Sequence, residues 1–560
     1  MGKKKKIEII LLFIIAIFFF ILIILPKKRV EISLNDKYNK YIVNPRKKSD
    51  QDILKVGVPT REKPLNVFDD GDGTVSLLSR LIHPSLLYKD KNDKAKLEIA
   101  EEYWYEDLGK TISVKLKKDY KFSNGEFLTA KNVYNTYLVL ADPSYSGKYV
   151  NYVDNLKGYF DYKLKVTDKL EGIEILGDYF IKFHFNDASF SNIYSLMFPI
   201  VNIKNTDFKY NDLAKVKFVD LINGAGRYKV ENILDENIKL ILKDDVKNED
   251  IKIRKIEISF LDYHDALHKF KSGDLDILYK YPKEKYFYRD YNERTRQYAN
   301  HIDFQSVIFN YIGFNQKSKI FKNENFRRAL RDSIGIKEII EEKYGKDVYD
   351  FPEIPVYKNS WFNSDNYKFD KKNKLSDELS KFYTKKDGYF LDEKGETLNI
   401  KLAYLEQDEF ANDIKGYLEK EIENEGIKVD LKPLSPQEMY KHLNDEYEDY
   451  DIYISQGKMT EIPAYQYDNK NKEVQKDNIN TLLDNSFYYI LEKIRDDVYS
   501  EELNRLTYEW KKNFDKSTPY IVLSTENITS IINKRIKGIY INEFIGLSDI
   551  ENLKNIEFTD

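Results

Sequence analysis

From Ile53 onward the chain switches repeatedly between two hydrophobic periods, and this switching limits the fold more than any other feature. Ile112–Leu116 (ISVKL) alternates apolar and polar residues strictly, Phe180–Phe185 (FIKFHF) does so from Ile181 onward, and Ile238–Leu242 (IKLIL) nearly does. A period of two sends successive side chains to opposite faces, so these segments are expected as half-buried strands. Ile53–Val58 (ILKVGV) is a compact β-rich run that stops at Pro59. Between these runs, apolar residues recur at helical spacing over Ser76–Leu87, Asn132–Leu140, Tyr263–Ser272, Asn325–Tyr344, Glu409–Glu425 and Pro436–Asn444. Strands and helices are therefore mixed throughout, which predicts an α/β or α+β body. A chain of 560 residues exceeds what one ordinary core serves, so two or more lobes are expected. With no internal repeat and no Gly/Ser-rich linker in the body, the lobes should share several chain crossings instead of one hinge peptide.

Composition excludes several classes of function. Hydrophobic residues make up 42% and aromatic residues 14% of the chain, too much for a disordered protein. Lys plus Arg (90) nearly balance Asp plus Glu (94), leaving −4 and no basic field to attract nucleic acid. The absence of cysteine excludes disulfides, thiolate metal sites, cysteine nucleophiles and a lipid-modified N-terminal cysteine. The first residues are informative in themselves. Lys3–Lys6 precede an uninterrupted apolar run from Ile9 to Leu25, followed by Pro26, Lys27, Lys28 and Arg29. Such a run makes about 25 Å of helix, short of a bilayer core of about 30 Å but workable with snorkelling lysines. No small-residue cleavage site follows bulky Ile24, Leu25 and Pro26, which favours an uncleaved signal anchor; a removed signal peptide is the alternative. Basic residues flank both ends, so an outward-facing body is inferred from the shape of the signal and not from charge asymmetry. Arg29 to about Gln51 is polar and basic and reads as a tether.

Several segments in order then resemble one known family. Val114–Pro143 holds a strand, the Ser123-Asn124-Gly125 turn, and a helix capped by Thr129 with apolar Val133, Tyr137 and Leu138 on one face. Leu97–Trp104, followed by Glu106 and Asp107, precedes it. Gly224-Ala225-Gly226-Arg227-Tyr228 forms a glycine turn, Ala266–Ile277 (ALHKFKSGDLDI) a helix, turn and strand, and Phe314, Asn315, Phe326–Leu330 and Ile334 a further strand and helix. Together they resemble the family-5 extracellular solute-binding proteins, the oligopeptide, dipeptide and nickel receptors of ABC importers. Ala225, Arg227, Gly335 and Ile336 depart from the family pattern. On this resemblance Trp104 is expected to be a packing residue.

The resemblance implies an α/β, two-lobed periplasmic-binding-protein-like fold of the large peptide-binding cluster (type II), with an extra subdomain in lobe I and a transmembrane helix ahead of it. Mapped onto this chain, residues 1–29 are the anchor and 30–51 the tether. Lobe I takes 52–75, 165–270 and 517–560, its subdomain 76–164, and lobe II 271–516, with Pro519, Tyr520 and Ile521 resembling the returning strand. A ligand peptide would lie extended in the interlobe cleft, paired through its backbone. Its ammonium would need a carboxylate, because an enclosed and uncompensated charge costs several kcal/mol. The family places an acid after a Tyr-Asp strand start, here Tyr450-Asp451, which makes Glu461 the candidate, with Tyr453, Gly457 and Lys458 beside it. A Gly-Trp and Asp-Tyr pattern usual in the family is missing, and Glu461 on a solvated loop is the competing reading. Val67, Phe68 and Asp69, in the loop after the opening strand, are further candidates. The implied partners are an oligopeptide ligand and the permease and ATPase subunits of an ABC importer; the chain is expected as a monomer, single-pass in the cell membrane, without cofactor or resident metal.

Other readings carry less of the chain. Asp69–Gly73 (DDGDG) lacks the spacing and closing Glu of an EF-hand. No nucleophile elbow, phosphate loop or His-Glu-x-x-His helix is present, so an enzyme is not expected. His264 and His268 share an i, i+4 face that could hold zinc if a carboxylate joined them, with a surface pair as the alternative. Nickel chelates or short sugars as ligands, or a degenerate receptor with a signalling or assembly role, remain open.

Overall fold

The computed structural model describes residues 53–559, apart from 204–220, 284–294, 440–448, 460–500 and shorter stretches of at most eight residues. The expected anchor (1–29) and tether (30–51), Asp69–Gly73 and Glu461 lie outside the described residues, as does most of the expected helix Pro436–Asn444. No helix among the described residues is long and apolar enough to cross a membrane.

Among the described residues, most of the strands join one mixed sheet of 11. Its order is Lys428–Leu434, Asn399–Leu405, Ile452–Lys458, Ala299–Phe314, Tyr520–Asn533, Ile277–Pro282, Ile53–Pro59, Lys255–Leu261, Asn237–Leu242 and Tyr228–Leu234, with Tyr349–Asp350 paired to the flank of Tyr520–Asn533. The two ends of the sheet serve different cores. Leu54, Val56, Ile256, Ile258 and Ile277 of the opening-strand end pack with Phe304, Ile528 and Ile532. Ile400, Leu402, Ile452 and Ile454 of the other end pack with Ile312, Phe314, Ile521, Leu523 and helix Glu409–Asn424. The opposite face there holds a second, aromatic core of Phe309, Tyr311, Tyr453, Trp510, Phe514 and Tyr520. Among the described residues, only the two long strands, of 16 and 14 residues, contribute side chains to the cores at both ends of the sheet.

A separate antiparallel sheet, in the order Ala100–Glu106, Thr111–Leu116, Phe180–His184 and Ile173–Gly177, covers the subdomain core with helix Ala130–Ala141. That helix starts where its cap predicts: Asn132 Oδ1 accepts from the Thr129 backbone N–H at 2.9 Å. Tyr263–Ser272 is helical as expected, with Asp262 accepting from Asp265 N–H and Gly273 closing it at φ 84°.

Three expectations change. The expected helix over Ser76–Leu87 is limited to Leu77–Ile82, because Pro84 disfavours helical backbone at His83, and Leu87–Lys89 is a strand. Asn325–Tyr344 divides into Glu324–Ser333 and Ile336–Tyr344, separated by extended Ile334 and by Gly335. Trp104 is 38% exposed, not buried; its ring lies 5.6 Å from that of Phe180, and its indole N–H donates to Glu106.

Charged residues of the matched segments act as internal fasteners. Asp276 is fully buried, accepts from Lys55 N–H at 2.8 Å and pairs with Arg535 beyond the last long strand. Arg327 is buried and donates to the carbonyls of Phe321, Lys322, Ser517 and Thr518, which ties helix Glu324–Ser333 to the C-terminus of helix Glu501–Ser517. Burial lowers its guanidinium to about 10, still charged at neutral pH. Replacing it with Met keeps the volume but strands those carbonyls. Arg327→Met should therefore lose about 3 kcal/mol, read as a lower urea midpoint.

His83 is completely buried, with Nε2 2.8 Å from the Leu221 carbonyl oxygen, and desolvation lowers its pKa from 6.5 to about 4. As pH falls through that window the unfolded chain takes up a proton that the folded chain refuses, so this group's contribution to stability is lost between about pH 6.5 and 4. Asp549, raised to about 6 mainly by burial, works in the opposite sense over the lower part of the same range. The His83 part is isolated by comparison with His83→Asn. The parent's stability relative to that variant should shrink by about 3 kcal/mol between pH 7 and 4 in denaturant titrations.

Candidate functional site

The crossing between the cores is a ribbon of two antiparallel strands with a break in its middle. Gln305 pairs with Asn527 and Phe309 with Thr525, so Ser306, Val307 and Ile308 bulge opposite the single residue Glu526. The ribbon is polar there although it is buried: Gln305, Ser306, Asn310, Ser524, Thr525 and Asn527 are each at most 9% exposed. Buried polar groups need partners, and these have them. The Thr525 hydroxyl lies within donating reach of the Ile308 and Ser306 carbonyls at 2.8 and 3.3 Å, and Met459 N–H donates to the Val307 carbonyl at 2.7 Å. Asn310 Nδ2 donates to Ser524 Oγ, and Gln456 Nε2 donates to Asn310 Oδ1, both at 3.3 Å.

Strand Ile452–Lys458 lies along this ribbon, with Tyr453 opposite Gly313 and Gly457 opposite Phe309. The glycines allow the rings to lie flat against the neighbouring backbone. A Cβ on Gly313 would stand 2.1 Å from the Tyr453 ring, and one on Gly457 would stand 2.5 Å from the Phe309 ring. Tyr453 is thereby buried in the aromatic core, its hydroxyl bonded to Tyr311 and held well above the usual phenol range by desolvation. Lys458 pairs through its backbone with Ile308. Asp451, at the head of this strand, accepts from Lys401 N–H at 2.9 Å and from the Ser318 hydroxyl at 2.5 Å, which sets the strand's start.

The loop after the opening strand sits elsewhere. Val67 and Phe68 are buried in the subdomain core, where Phe68 stacks on Phe198 at 5.8 Å and its carbonyl accepts from the Tyr145 hydroxyl at 3.1 Å. Of the sequence-selected residues, Tyr453, Gly457 and Lys458 lie along one strand, whereas Val67 and Phe68 belong to a different core. The glycine turn joins two matched segments. The Gly224 carbonyl accepts from Ser123 N–H at 3.0 Å, Gly226 N–H donates to Ile82 at 2.8 Å, and a Cβ on Gly224 would collide with the Ile82 carbonyl at 1.8 Å. His264 and His268 are both exposed on their helix. No group of three or more residues suited to hold a metal occurs among the described residues.

The polar residues of the ribbon were not selected from the sequence. A signal exists in Ser524–Ser530 (STENITS), a polar stretch set inside an otherwise apolar strand between Ile521 and Ile532.

The chain matches the family model for bacterial extracellular solute-binding proteins, family 5 Middle, over residues 94–469. It belongs to that family. Among its relatives, the oligopeptide-binding protein AppA of Bacillus subtilis (strain 168) is 23% identical over 455 residues, 78% of either chain. Among solved structures, AppA from Bacillus subtilis in complex with a nonapeptide shares the fold at TM-score 0.60 and 19% identity, over 91% of this chain and 99% of that one. Lactococcal OppA, complexed with an endogenous peptide in the closed conformation, aligns at TM-score 0.66 and 18% identity over 90% and 99%. NikZ from Campylobacter jejuni, in complex with Ni(L-His), aligns at 0.61 and 18% over 90% and 99%.

The ring-over-glycine contact gives a direct test of how this strand is held. Gly313→Ala should destabilise the protein by about 2 kcal/mol through overpacking. Adding Tyr453→Leu should recover part of that loss, so the two changes measured together in thermal melts should be less than additive.

Proposed function

We propose that this protein is the ligand-capturing receptor of an ABC importer for oligopeptides. Its body stands outside the cell on the tether 30–51, held by the uncleaved segment 1–29 as a single membrane pass, and it passes cargo to a permease driven by ATPase subunits. The observation that carries this reading is the two-stranded ribbon between separate cores, in a chain whose family and whose relative across 78% of its length are solute-binding and oligopeptide-binding proteins. Two solved relatives of the same fold hold peptides, and one of them is closed around its ligand.

In this reading the cleft lies between the cores, and the protein works as a monomer without cofactor or catalysis. Lobe I comprises 52–75, 165–270 and 517–560 with the subdomain 76–164, whose core also draws Ile173, Ile181 and Phe183 from the 165–270 segment, and lobe II lies within 271–516. Because Ile277, Tyr279 and Phe304 pack with the opening strand, we draw the first crossing at Ser306–Ile308. Backbone amides of the walls pair with an extended ligand as an added strand does, which gives affinity without demanding one side-chain sequence. Glu461 takes the ligand's ammonium, near the end of the strand that carries Tyr453, Gly457 and Lys458. Tyr453 supports that strand from within the aromatic core. Val67 and Phe68, buried in the subdomain core, hold the loop from which Asp69 contributes on the first-lobe side.

Native mass spectrometry of the compact body Lys47–Asp560, with released ligand sequenced, tests this. Co-purified peptides of several residues, lost in Glu461→Ala, are the expected result. A body that carries none and shows no thermal shift with a peptide library, but does shift with nickel–histidine, would replace the peptide reading with the ligand class seen in NikZ.

A further inference from the structure

One residue of the ribbon reaches across its break. Gln305 is the last residue paired before the bulge, 4% exposed, and adjacent to Phe304 of the opening-strand core. Its side chain leaves the ribbon: Nε2 donates to Asp350 Oδ2 at 3.2 Å, and Oε1 accepts from Lys358 N–H at 2.8 Å. Both partners belong to the other side. Asp350 pairs with Thr525 beyond the bulge, and Lys358 follows Ile354, Val356 and Tyr357, which are buried in the aromatic core with Tyr453 and Tyr520.

Asn527, the ribbon partner of Gln305, makes the same jump. Its N–H donates to the Val348 carbonyl at 2.8 Å, and its Nδ2 donates to the Asp347 carbonyl at 3.3 Å. Residues 347–358 therefore form a strap laid over the break, fastened to the first-core end of the ribbon at Gln305 and Asn527 and rooted in the second. The backbone bonds of Asn527 and of the strand pair Tyr349–Asp350 follow the ribbon wherever it goes. The two Gln305 bonds depend on a side chain whose reach is fixed by the angle of the ribbon at Ser306–Ile308.

We propose that Gln305 is a latch on the lobe hinge: its carboxamide, held by Asp350 and the Lys358 amide, favours the lobe arrangement seen here over its alternative. This rests on the reading of two lobes that move about the ribbon. Two buried hydrogen bonds, each with a net value of about 1 kcal/mol, are enough to move a two-state ratio roughly tenfold or more. Loss of the latch leaves the ribbon and both cores intact and changes only the balance between the two arrangements.

The absence of cysteine allows a clean measurement on the full chain, with spin labels at Asp265→Cys on one core and Lys420→Cys on the other, both exposed in the parent. Distance distributions are recorded with and without a nonapeptide mixture. Gln305→Ala should move the population ratio roughly tenfold or more away from the distance of this structure, and Asp350→Ala, which removes one of the two bonds, roughly fivefold, whereas Asp350→Asn, whose amide oxygen still accepts, should stay with the parent. Thermal midpoints establish that all three variants are folded. Distributions of Gln305→Ala and Asp350→Ala that coincide with the parent, with and without peptide, would overturn the latch. A parent distance that ignores peptide while both alanine variants shift it would keep the latch and count against the peptide reading instead.

Discussion

The antiparallel pairing of Ala299–Phe314 with Tyr520–Asn533 is the contact on which the remaining architecture depends. Each strand gives one end to the opening-strand core and the other end to the second, so each is the boundary condition for both hydrophobic clusters. The bulge at Ser306–Ile308 concentrates the departure from a straight ladder in a short stretch, and the Thr525 hydroxyl and Met459 N–H occupy the carbonyls that it frees. A second register shift follows at once, between Asn310 and Tyr311, so both irregularities of the ladder fall within Ser306–Tyr311 and any bend is concentrated there. The polar character of the stretch follows, since apolar side chains there would leave the bulged carbonyls without donors.

Around this ribbon the fold uses two kinds of fastening. One is apolar and repetitive, as in the alternating strands of the large sheet. The other is ionic and single: Asp276 with Arg535 at one end, Arg327 over the terminus of helix Glu501–Ser517 at the other. Removing charges from water is costly unless each proton and lone pair is satisfied. Arg327 meets this condition with four backbone carbonyls, and Asp276 with a backbone N–H as well as the guanidinium. Both fasteners sit where chain segments distant in sequence meet.

How much of this could be read in advance depends on the range of the interaction. The strands at Ile112, Phe180 and Ile238, and the helices starting at Ala130, Tyr263 and Glu409, are set by periodicity and caps within a few residues, and they stand where the pattern places them. The helix expected through Leu87 stopped at Ile82 because the effect of Pro84 outweighed apolar spacing. The ordered series of motifs carried the family. The site was less legible: Gln305 and Asn527 owe their importance to a pairing between segments far apart, which leaves no local trace beyond the polar stretch Ser524–Ser530. Tyr453 could be placed on its strand from the Tyr-Asp start, but its burial depended on Gly313, distant in the chain, leaving room for a ring.

The order in which the chain is made gives the ribbon one more meaning. The opening strand Ile53–Pro59 is among the first parts of the body to be synthesised, yet its core is completed by Ile528, Ile532, Ile536, Leu547, Leu553 and Ile556, which come last. No partial chain can close that cluster. The protein therefore emerges with its earliest strand waiting for its final one, a topology of widely separated contacts that folds slowly. For a member of an extracellular family such delay is useful, because the opening-strand core cannot set before the whole body has been made.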